Sequence, residues 1–87
     1  MEQEEFYRGI VKSMYWQSKK KDPRQLAFTL YSYVKQHPEN IKVDGAWSSI
    51  LRNSKILLTK HLGWTMAEAH QFFIHFSTLT QYMKKST

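Results

Sequence analysis

Apolar residues recur at helical spacing along almost the whole chain. Phe6, Ile10 and Met14 fall every four residues, with Tyr7, Val11 and Tyr15 as the neighbouring row. This spacing predicts a first helix over about residues 3–19. Leu26, Ala27, Leu30, Tyr31 and Val34 give a second apolar face. Asp22 and Pro23 open that helix: an aspartate caps free N–H groups, and a proline at the first position has no N–H to leave unpaired. His37-Pro38 closes it, because the residue before a proline avoids helical torsions. Residues 38–45 read as a connection, in which Ile41 and Val43 alternate with polar residues as in a short extended piece.

A third helix is expected from about Ala46 to Leu62, capped by Asp44. Trp47, Ile50, Leu51, Ser54, Leu57, Leu58, His61 and Leu62 share its apolar face. Gly63 suits the left-handed residue that ends many helices. Thr65 and Glu68 then form a capping box, in which each side chain satisfies a backbone donor near the other. The helix that follows carries Ala69, Phe72, Phe73, Phe76, Leu79 and Met83 on one face. The expected fold is all-α: one compact four-helix domain over residues 1–87, ending in a helix-turn-helix-like αα-hairpin.

Composition narrows the class. At 87 residues the chain holds one domain near the lower limit for a self-sufficient core, and its three Trp, five Tyr and five Phe supply much burial per residue. The absence of cysteine excludes disulfides and Cys-ligated zinc. It fits a reducing cytoplasm, as does an acidic N-terminus where a secretory signal would be basic. The longest aliphatic run, Ile56-Leu57-Leu58, is too short to cross a bilayer. A cytoplasmic protein without a membrane partner is expected.

The charge is +6 overall and uneven. Glu2, Glu4 and Glu5 carry three of the seven acids, so residues 6–87 hold 13 basic and four acidic side chains, a net of +9. That excess points to DNA or an acidic protein as partner. In the helix-turn-helix reading, Gly63 makes the turn and Leu58, Leu62, Trp64, Ala69 and Phe72 take the locking positions, while Thr59 stands where a smaller residue is usual. The fourth helix presents Thr65, Met66, Ala67, His70 and Gln71. The leading expectation is a small non-enzymatic regulatory protein that binds DNA. Lys19, Lys20, Lys21, Arg24, Arg52 and Lys55 would meet phosphates, and Thr65, His70 and Gln71 base edges. An ordinary hairpin needs the same glycine and box, and Glu68 with no Arg or Lys before Lys84 counts against base reading.

The rival expectation is a protein-binding helical module: an inhibitor, adaptor or immunity-type protein. Trp16, Ile56 and Ile74 fall off the apolar stripes, as does Phe28, and the first three are the candidate anchors. Trp16 lies among Arg8, Lys12 and Lys19. It either anchors a partner or folds against the linker and joins the core, as most tryptophans do. A homodimer is open to the same residues. His37, His61, His70 and His75 lack metal-site spacing, and the chain has no nucleophile elbow or phosphate-binding glycine loop. No catalytic residue, metal or cofactor is expected.

Overall fold

The computed structural model describes residues 2–42 and 44–85, with residues 82–85 as backbone alone. Four helices follow one another: α1 (Gln3–Ser18), α2 (Pro23–Lys35), α3 (Ala46–His61) and α4 (Met66–Lys85). A single 3-10 turn, Pro38–Ile41, stands between α2 and α3. There is no strand among the described residues. The domain is therefore all-α. α2 packs along both α4 and α1, and α3 packs on α4, while α1 and α3 barely meet. The helices thus form a ring in the order α1–α2–α4–α3 with one side open.

The core is made of the predicted stripes. Phe6 and Met14 of α1, Leu26, Leu30 and Val34 of α2, Ile50 and Leu58 of α3, and Phe72 and Phe76 of α4 are all fully buried. Each such side chain contributes about 1.5–3 kcal/mol on leaving water. Asp22 caps α2, accepting from the N–H groups of Arg24 (3.1 Å) and Gln25 (3.2 Å). The Thr65–Glu68 box forms in both directions: Thr65 N–H donates to Glu68 Oε1 at 2.8 Å, and Glu68 N–H to Thr65 Oγ1 at 3.1 Å.

Contacts at both ends position α1. Its first half lies so close to α2 that a Cβ on Gly9 would stand 1.9 Å from the Tyr33 hydroxyl. Tyr33 stacks on Phe6 with ring centroids 5.6 Å apart and donates to the Phe6 carbonyl at 3.2 Å. Partial burial, reinforced by the Glu5 carboxylate, pushes the Tyr33 phenol up, which keeps it protonated and able to donate. Asn40 Nδ2 donates to Gln3 Oε1 at 3.2 Å and holds the 3-10 turn to the start of α1. At the other end, the buried Trp64 indole donates to the Ser18 carbonyl at 3.2 Å. Gly63 takes a left-handed φ of 73°, and Trp64 N–H closes back on Leu58 O at 3.0 Å.

Several sequence expectations are corrected. Asp44 does not cap α3; Gly45, left-handed at φ 82°, occupies the cap position with no side-chain bond. The expected extended piece is a 3-10 turn, because Pro38 can begin a helical turn and Asn40 N–H reaches His37 O at 3.0 Å. Val43 lies outside the described residues, as do the side chains of Met83, Lys84 and Lys85. His61 is exposed rather than buried in the α3 face, because α1 does not cover that edge. Trp16 does not join the core: it is 62% exposed. Phe28, off the apolar stripe of α2, is exposed as well.

The Gly9 approach has a measurable sign. A glycine-to-alanine change in an open helix stabilises it by about 1 kcal/mol. Here the added methyl must displace the Tyr33 ring from Phe6. Gly9→Ala is expected to lower stability by about 1–3 kcal/mol in urea denaturation. A variant more stable than the parent would show that Tyr33 is not held there.

Candidate functional site

The open side of the ring is where the structure leaves apolar surface unpaired. α1 carries two apolar rows, and only Phe6, Ile10 and Met14 enter the core. In the second row Tyr7 is half-buried, and Val11 and Tyr15 are 48% and 46% exposed. Facing them across the gap are Ile56, also exposed, and Leu57 of α3. Between the helices lies a cavity of about 240 Å³ walled by Tyr7, Ile10, Val11, Ile50 and Leu57. Asn53, Ser54, Ile56 and His61 complete its lining. The apolar ground continues over α1 to Tyr15, bordered by Arg8 and Lys12. Glu4 also borders it, and is bound to Arg8 at 2.7 Å. Lys60, one turn beyond Ile56, is exposed on the α3 side. Arg8 and Glu4 offset one another, so the basic excess of the rim rests on Lys12 and Lys60.

The expected phosphate contacts do not converge. Lys19 folds over its own helix, with Nζ 4.7 Å from the Tyr15 ring and 4.8 Å from the Trp16 ring. Lys20 is exposed beside it. Lys21 stays exposed but reaches the α3–α4 joint: it donates to Gly63 O at 2.9 Å, lies 3.6 Å from Glu68 Oε1, and approaches the Trp64 ring at 5.8 Å. Its φ of 54° is uncommon outside glycine and serves this clasp. Arg24 shares a cleft with Phe28, His75 and Leu79 on the α2/α4 side. Lys55 lies over Phe73 at 5.6 Å on the α3/α4 side, and Arg52 is exposed on α3. Phe73 and His75 point to opposite flanks of α4, so these cations occupy at least three separate faces.

The expected base readers fare unevenly. Thr65 is engaged in the capping box. His70 is exposed and stacks on Phe73, with centroids 6.1 Å apart and planes 8° apart. Gln71 is exposed. Around them the outward face of α4 presents Met66, Ala67 and Ile74, with no Lys or Arg from Met66 to Gln81. Of the expected partner anchors, Ile56 borders the cavity, and Trp16 lies outside it, in edge-on contact at 5.7 Å with Tyr15 at the far end of the apolar ground on α1. Ile74 lies on α4, diagonally across the ring, and takes no part.

Among the described residues no three His, Cys, Asp or Glu side chains are grouped to hold a metal. No helix of the described residues is long and apolar enough to cross a membrane. No protein-family model matches the chain, and no curated protein or solved structure matches it.

Sequence reasoning placed Ser54 on the buried face of α3 but missed the α1/α3 gap and the Lys21 clasp. The gap had one signal. Two complete apolar rows on α1 are more than a single neighbouring helix covers. The clasp had none, since it joins residues more than forty positions apart.

The clasp carries a pH prediction. The Thr65 backbone N–H, chiefly, holds the Glu68 carboxyl below its usual range, with Lys21 adding to the effect. The unfolded chain therefore takes up this proton at higher pH than the folded one. The carboxylate's stabilisation is complete above the unfolded value and is lost as pH falls through the lower folded value. Glu68→Gln keeps an acceptor for Thr65 but removes the titration. Thermal melts in stepwise buffers should show the variant less stable at neutral pH and equal to the parent in acid. A difference that persists unchanged in acid would contradict this role.

Proposed function

We propose that this chain is a non-enzymatic protein-binding module that receives a helix of a larger partner on its open α1/α3 side. The observation that carries the reading is the unpaired row Tyr7, Val11, Tyr15 facing Ile56 across a preformed apolar cavity. Side chains spaced four apart on a helix form the ridge against which another helix packs. The occupant is an amphipathic helix with acidic flanks, because Lys12 and Lys60 border the apolar ground while Arg8 and Glu4 offset one another. Such flanks speed encounter and set the docking register.

The same arrangement makes duplex DNA the second choice. Groove reading needs a helix whose exposed side can approach two negatively charged strands. α4 offers a neutral face there, and Lys21 is spent on Gly63 and Glu68. The remaining cations point in different directions instead of lining one backbone path.

A photo-crosslinking side chain placed at Val11 tests this in lysate with and without nuclease, with Thr78 on α4 as the control position. We expect Val11 alone to capture an acidic-flanked helical segment of another protein. The pair Val11→Asp and Ile56→Asp should weaken that complex at least about thirtyfold, the scale of an interface hot spot. Both residues are exposed, so the fold should survive. Capture of a second copy of this chain only, capture that requires DNA, or equal yield from Thr78 would overturn the reading.

A further inference from the structure

Of the three tryptophans only Trp16 is exposed, at 62%. Tyr15 beside it is exposed as well and meets it with ring planes 81° apart. Lys19 Nζ lies over both rings. Lys12 stands one turn before Trp16 and Lys20 one turn after it, in a row of every fourth residue that shares one helix face. The Lys20 N–H still reaches Gln17 O at 3.2 Å, so the turn carries on that far. All three lysines are exposed, and none has a carboxylate partner among the described residues. The nearby acids are committed or remote. Asp22 accepts from the N–H groups that open α2, and Glu4 is bound to Arg8. Glu5 precedes Lys12 by about 10 Å of helix, roughly one screening length at ordinary salt.

These cations do not join those of α2 and α3 in a path along a duplex. They surround one pair of rings. We propose that the C-terminal half of α1 binds single-stranded nucleic acid: one base stacks on Trp16, and Lys12, Lys19 and Lys20 meet the phosphates on either side of it. Lys12 and Lys20 are about 12 Å apart along the axis, and their long stems bring both ammonium groups to the phosphates that flank one nucleotide. A single strand is required, because the base faces of a duplex are covered by their neighbours, while those of a strand are open to an aromatic ring. Other partners that favour an aromatic among lysines fit less well. A pocket in another protein would bury Trp16 with the Lys19 ammonium still against it, and an ammonium taken from water into apolar surroundings is costly. An anionic membrane would lie along all of α1 and meet the exposed Glu4 and Glu5 as well. A strand uses only the last turns of the helix and leaves those acids out. Lysines and rings recognise phosphate and the flat face of a base, features that RNA and DNA share. Trp16 lies outside the α1/α3 cavity, so this site does not depend on helix docking, although Lys12 borders both surfaces.

Fluorescein-labelled octathymidylate, octauridylate and an abasic octamer, which carries the same phosphates without bases, test this on the intact chain. Anisotropy at about 50 mM salt should give dissociation constants of about 100 μM for the first two, within about threefold of each other. The abasic strand should bind at least about tenfold more weakly. With three phosphates neutralised, affinity should fall roughly fifteenfold when salt is raised fourfold. Trp16→Ala should cost octathymidylate at least about tenfold and leave the abasic strand within about twofold of its parent value, while Trp16→Phe keeps most of the affinity. If Trp16→Ala perturbs the fold, the comparison of abasic and thymidylate strands on the parent chain decides alone. Equal binding of those two strands, no binding up to about 1 mM, or affinity indifferent to salt would overturn the proposal. Tighter binding to a hairpin duplex or to phosphatidylserine vesicles than to the single strand would overturn it as well.

Discussion

The missing side chain at Gly9 decides where α1 lies. With only a hydrogen there, α1 can settle against the Tyr33 ring, and the Phe6–Tyr33 stack and the bond to Phe6 O follow from that approach. A helix drawn this far toward α2 presents one apolar row to the core and turns the next away from it. α3 is held elsewhere, by its packing on α4. The gap beside α1 is thus a consequence of one close contact on its opposite flank.

The far end of α1 is fixed by polar bonds instead of ring packing. The Trp64 indole reaches Ser18 O, and Lys21 spans Gly63 O and Glu68. Ser18 O accepts from the Lys21 N–H as well as from the indole, and Lys21 Nζ supplies a donor to Gly63 O at the α3–α4 joint. The cost is a lysine in a left-handed conformation and a surface cation committed to Gly63 and Glu68. Positioned at both ends, α1 is not free to close on α3, so the cavity with its unpaired Ser54 is a standing feature of the domain.

Much of the architecture was legible along the chain. The stripes of Phe6, Leu30, Leu58 and Phe72 depend only on helical period, and the caps at Asp22 and Thr65–Glu68 on neighbours within three residues. Function was less legible, because charge counted along a sequence has no direction in space. Lys19, Lys21, Arg24 and Lys55 look like one basic endowment in the sequence. In the fold one covers its own helix, one is a structural clasp, one edges the α2/α4 cleft and one covers Phe73. Trp16 misled for a related reason: its residue type favours burial, but its position on α1 places it outside every helix contact.

The sequence by itself determined the number of helices, most of their ends and the residues that form the core, since these follow from short-range periodicity and capping chemistry. Only the tertiary structure decided which apolar row of α1 stays uncovered, which cations face solvent together and which buried hydroxyl is left without a partner. Those outcomes depend on helices brought side by side from distant parts of the chain, at distances set by a glycine against a tyrosine and a tryptophan against a helix end. Local spacing carries no record of such contacts.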